Sequence, residues 1–64
     1  MGIIKTRITI FESGGQKIRT VSPSVLDTQM AVTLAEKMMN KLHGDHYSIA
    51  TQKDGEYIKF KEGK

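Results

Sequence analysis

The chain has 64 residues, with 10 Lys+Arg against 7 Asp+Glu, a formal net charge of +3 and no cysteine. Its length makes one domain over residues 1–64, which buries only about 60% of its unfolded surface and needs a well-made core or a second copy of itself. Disulfides and thiolate metal sites are excluded, no apolar run approaches the ~20 residues of a membrane span, and a reducing, cytoplasmic setting without a membrane partner is the expectation.

The first element is a strand over about residues 3–11. Ile4, Thr6, Ile8 and Ile10 alternate with Lys5, Arg7, Thr9 and Phe11, and period two with β-branched residues is strand chemistry. Ser13-Gly14-Gly15 is a turn. A three-residue loop with Gly15 left-handed pairs Glu12 with Gln16, Ile10 with Ile18 and Ile8 with Thr20. A two-residue Gly14-Gly15 turn would pair Phe11 with Ile18 instead, so the register of the second strand, about 16–22, stays open.

Ser22-Pro23-Ser24 ends that strand. Pro23 suits a first helical position with Ser22 as cap, and Ser24-Val25-Leu26-Asp27 is a competing capping signal. The helix therefore begins between Pro23 and Asp27 and runs to about residue 43, with Gly44 as its C-terminal stop. Leu26, Met30, Ala31, Leu34, Ala35, Met38 and Leu42 form its apolar stripe. Val32 and Met39 widen the arc to about 200°, more than the ≳100° that sheet packing needs. Val25, Val32 and Met39 recur every seven residues, with the small Ala35 alongside. They are the candidate interface for a homodimer or another protein.

The last two strands, about 47–52 and 56–61, flank Asp54-Gly55, a two-residue hairpin turn. That turn pairs Lys53 with Glu56, Thr51 with Ile58 and Ile49 with Phe60. The whole reads as an α+β fold in the order ββαββ: a four-stranded antiparallel sheet with one helix on one face, in spatial order 2-1-3-4 or, in competition, 1-2-4-3. Leu34, Ile49 and Phe60 are the expected centre of the core.

A single helix covers one face of the sheet. The other is expected to carry Lys5, Arg7, Thr9, Phe11, Lys17, Arg19, Val21, Ser48, Ala50, Gln52, Tyr57, Lys59 and Lys61. The acids fall on turns, the helix and the tail. Lys5, Arg7, Lys17, Arg19, Lys59 and Lys61 are placed to meet phosphates, and Phe11 and Tyr57 to stack on unpaired bases. Edge lysines also keep sheets soluble and discourage edge pairing, and an unoccupied face is the alternative use of this charge.

Other chemistry has little support. His43-Gly44-Asp45-His46 resembles a metal site, but Gly44 separates the histidines, so no metal and no cofactor is expected. Gly14-Gly15 lacks the Gly-Lys-Ser/Thr of a phosphate loop, and the serines lack a nucleophile motif. The aromatic signature of RNA-recognition strands and the helix-turn-helix pattern are absent. The expectation is a non-enzymatic module that binds nucleic acid through its basic sheet face. The alternative is a small protein-binding inhibitor or regulator, of the accessory type that phages and mobile elements encode, acting through the helix seam or a sheet edge.

Overall fold

The structure is a computed structural model and describes residues 2–64. One helix packs on one face of an antiparallel sheet. The elements are β1 (Ile4–Phe11), β2 (Lys17–Val21), β3 (Ser24–Val25), α1 (Thr28–Leu42), β4 (His46–Lys53) and β5 (Glu56–Gly63). The long strands lie in the order β2-β1-β4-β5. The sheet departs from the four-stranded expectation through β3, which also pairs with β1.

β3 exists because the chain does not enter the helix at Pro23. Ile8 faces Val21, and Ile4 faces Val25 in the same register, so β2 and β3 are two pieces of one path along β1. Pro23 causes the gap. Its carbonyl accepts from Thr6 N–H at 3.1 Å, but it has no N–H to return the second bond of the pair. The Thr6 hydroxyl donates to the same carbonyl at 2.7 Å, which satisfies a fully buried polar side chain. The helix starts later than the 24–43 expectation. Asp27 is its N-cap, accepting from Met30 N–H at 2.9 Å.

Two bulges revise the expected registers. In the first hairpin Glu12 N–H donates to Gln16 O at 2.9 Å, and Gly15 takes φ 87°, as the three-residue loop requires. Beyond it the register shifts, so that Phe11 pairs with Lys17 but Ile10 with Arg19. Ile18 becomes the extra, exposed residue and does not face Ile10. In the second hairpin Lys53–Glu56 and Thr51–Ile58 pair as expected, but Ile49 then meets Lys61. Phe60 is the extra residue there and is not at the centre of the core.

The core is Ile8, Ile10, Val25, Ala31, Val32, Ala35, Tyr47 and Ile49, with Ile4, Val21, Met38, Met39 and Leu42 packed against it. α1 packs on β1, β3 and β4. Its shortest side chains, Ala31 and Ala35, face the sheet and let the backbone approach closely. This turns the helix away from the face expected from the apolar stripe. Leu26, Met30 and Leu34 are left 69%, 42% and 36% exposed, so Leu34 does not sit at the core centre.

Asp54 and Gly55 have φ 52° and 82°, as a two-residue hairpin turn of the twist-matched kind requires. A β-branched residue is strained at that φ. Gly55→Val should lower stability by roughly 1 kcal/mol or more, read from the shift of a urea midpoint. Among the described residues no helix is long and apolar enough to cross a membrane.

Candidate nucleic-acid interface

Paired residues of an antiparallel sheet lie on the same face, so the registers decide which side chains reach the face opposite α1. On β1, the residues that alternate with the buried Thr6, Ile8 and Ile10 are Lys5, Arg7, Thr9 and Phe11, of which Thr9 is also buried, at 8% exposure. Across from them lie Ala50 beside Arg7, Ser48 beside Thr9, and His46 beside Phe11. β5 adds Tyr57 opposite Gln52 and Lys59 opposite Ala50. β2 adds Thr20 opposite Thr9 and Lys17 opposite Phe11.

The bulges remove part of the expected set. Arg19 pairs with Ile10, Val21 with Ile8, and Lys61 with Ile49, each a residue of the helix-side core. Arg19, Val21 and Lys61 therefore belong to the helix side of the sheet. The same slip brings Glu62 to the open face, opposite Ser48. There its carboxylate lies 3.1 Å from Lys59 Nζ. Both groups are well exposed, so the pair is screened and weak, but it offsets part of the positive charge. The face carries Lys5, Arg7, Lys17 and Lys59, with one acid among them.

Two π contacts mark its ends. The Arg7 guanidinium carbon lies 4.1 Å from the centroid of the Tyr57 ring. The two residues are on β1 and β5, with β4 between them. Arg7 reaches across because its β4 neighbour is Ala50, too short to intervene. At the other end Phe11 and His46 stack, with centroids 4.7 Å apart and planes within 8°. His46 Nδ1 also lies 2.9 Å from Asp45 Oδ2. Between the two ends are Thr9, Ser48 and Ala50, all short. The Thr20 hydroxyl donates to that of Thr9 at 3.3 Å.

Charge is therefore graded along the strands. Lys5, Arg7, Lys59 and Tyr57 gather toward the Asp54-Gly55 end, while Glu62 and Asp45 flank the Phe11–His46 end, where Lys17 lies. His46 falls outside the expected face because β4 starts one residue earlier than the expected strand. Extending the alternation of Ser48 and Ala50 back by one step finds it. His43 and His46 do not join a metal cluster: among the described residues no three His, Cys, Asp or Glu side chains are so grouped.

The expected helix seam lies largely inside the chain. Val25, Val32 and Ala35 are buried, and Met39 is packed against the core. The partner that Ala35 admits is the chain's own sheet. No protein-family model, curated protein or solved structure matches the chain.

Proposed function

We propose that this chain is a non-enzymatic module that binds single-stranded nucleic acid on the open face of its sheet. The observation that carries the reading is the Arg7–Tyr57 cation–π contact at the basic end of a face whose middle is built of short side chains. Bases stack on guanidinium planes and on aromatic rings, and this contact brings one of each together. Lys5 and Lys59 flank this pair and Lys17 lies further along, so a backbone can be tracked while bases rest on Ser48 and Ala50. Little on this face reads base edges, so binding is indifferent to sequence. A cytoplasmic setting goes with the same reading.

Fluorescence anisotropy with labelled single- and double-stranded oligonucleotides at low salt tests it. Arg7→Ala and Tyr57→Ala should each weaken binding, and losing one stacked base contact costs about 1–3 kcal/mol. Lys5→Ala should flatten the log-log salt dependence by roughly 0.7, the value for one contact to a single strand. Arg19→Ala and Lys61→Ala should change little, because those cations are on the other side of the sheet. Absence of binding below about 100 μM, weaker than ordinary non-specific affinity, would sink the reading.

The competing reading, a protein-binding inhibitor or regulator, rests on the exposed Leu26, Met30 and Leu34 of the helix side. A partner retained from lysate after nuclease treatment, and lost on Met30→Lys, would favour it.

A further inference from the structure

We propose that the outer edge of β5 pairs antiparallel with the same edge of a second copy of this chain, about a two-fold axis at Ile58. The two sheets then become one.

The first observation is the direction of the backbone groups. In a two-residue hairpin the residues flanking the turn, here Lys53 and Glu56, exchange both hydrogen bonds, and the pattern then alternates. Ile58 bonds inward to Thr51. Tyr57 and Lys59 turn their N–H and C=O groups outward. β5 is an end strand of the sheet, so these groups point away from it. The opposite edge is less suited: Pro23 splits it into β2 and β3, and the Ile18 bulge breaks it again.

The second observation is the apolar surface beside that edge. Ile58 and Phe60 are 51% and 45% exposed. Ile58 is on the helix side through its pairing with Thr51, and Phe60 sits in the bulge against Ile49. α1, packed on β1, β3 and β4, does not cover them. Large apolar residues on an edge with outward-pointing backbone groups are a template for pairing.

Charge selects the register. A two-fold axis at Lys59 would set Lys59 opposite Lys59, and like charges directly opposite are destabilising. An axis at Tyr57 would carry the pairing into the turn at Gly55. The axis at Ile58 sets Tyr57 opposite Lys59, each such pair exchanging both backbone bonds, with the ammonium beside the ring. It sets Ile58 opposite Ile58 as a non-hydrogen-bonded pair, the kind in which side chains come closest. Glu56 then meets Phe60, and the bulge brings Lys61 to the same side, within reach of Glu56 of the other copy. Symmetry makes this charge pair twice. The axis is perpendicular to the sheet, so both helices lie on one side, with Ile58 and Phe60 flooring the furrow between them. The open faces join on the other side. None of this depends on nucleic-acid binding.

An edge contact buries less than the ~1,200 Å² of stable complexes, so the dimer is weak and depends on concentration. Amide hydrogen exchange on the wild-type chain reads it directly. Between about 10 μM and 1 mM the Tyr57 and Lys59 amides should slow roughly fourfold, and by no more than about tenfold, as mass action fills the dimer. The Ile58 amide, bonded to Thr51, should be protected throughout. Sedimentation should show the mass rising from 7.2 kDa toward twice that value. Lys59→Pro removes an outward N–H and spares the β4 ladder, and should hold the chain monomeric. Glu56→Lys should weaken the dimer, and Glu56→Lys with Lys61→Glu should restore it. A mass that stays at 7.2 kDa at the highest concentration would overturn the proposal. So would a dimer whose Tyr57 and Lys59 amides exchange as fast as in the monomer.

Discussion

Ile49→Ala is expected to unfold a large part of the population. Ile49 has no solvent exposure and stands opposite Ile8 at the centre of the sheet. Removing such a side chain costs about 2–5 kcal/mol, because the cavity closes only partly. A domain of this size sits near the lower end of the usual 5–15 kcal/mol range, so the loss takes much of its stability. A thermal melt followed by circular dichroism should fall by about 10 °C or more, at roughly 4–8 °C per kcal/mol for a small domain. Leu34→Ala is the comparison. Leu34 is partly in water already, and its truncation should cost about 1 kcal/mol or less. Equal shifts for the two variants would mean that the helix faces the sheet with the stripe its apolar arc favours.

Which face of the helix meets the sheet is a feature that its sequence leaves open. An arc of about 200° says that part of the helix is buried but not which part, since a sheet needs only about half of it. In the structure Ala31, Val32 and Ala35 go inward, Met38, Met39 and Leu42 pack beside them, and Met30 and Leu34 go to the flank. Alternation and turn chemistry made the four long strands legible, down to the left-handed Gly15 and Gly55. β3 was not legible, because Ser22-Pro23-Ser24 has the chemistry of a helix start as well. What decides is tertiary: Val25 gains a place against Ile4 on β1, and Asp27 is the better cap for α1.

The candidate face was legible where strands are regular and misread where they are not. Lys5, Arg7 and Phe11 follow from the period of β1, and Tyr57 and Lys59 from the two-residue turn. Arg19 and Lys61 both lie just beyond a bulge. A bulge inserts one residue and reverses the side on which every later residue falls. Neither bulge carries a glycine: the extra residues are Ile18 and Phe60, which read as ordinary strand residues. The segregation of charge is consequently less complete than the alternation alone implies, and the proposed site contracts to Lys5, Arg7, Tyr57 and Lys59, with Lys17 further along.

Gly44→Ala should destabilise the chain, and His43→Gly should not. The sequence places a glycine where the helix stops, and a left-handed cap at Gly44 is the natural expectation. In the structure the left-handed residue is His43, at φ 54° and ψ 43°, while Gly44 N–H donates to Met39 O at 3.0 Å. Gly44 is needed for space. A Cβ there would lie 2.5 Å from Ile10 Cγ2, 3.0 Å from Met39 Sδ and 3.4 Å from Phe11 O. Ile10 is fully buried, and Phe11 O is held by Asp45 N–H at 2.8 Å, so neither moves without disturbing the core or the start of β4. Overpacking of this kind costs about 1–3 kcal/mol for Gly44→Ala, and Gly44→Val should cost more. At His43 a side chain in the left-handed region costs roughly 1–2 kcal/mol. Glycine removes that cost but gives back about 0.5–1 kcal/mol in unfolded-state entropy, so His43→Gly should be neutral to stabilising by up to about 1 kcal/mol. Paired urea melts give both signs. A stable Gly44→Ala beside a destabilised His43→Gly would transfer the cap to Gly44 and free the space between Ile10 and Met39. The junction of α1 with β4 would then have to be rebuilt, and with it the placing of His46 against Phe11.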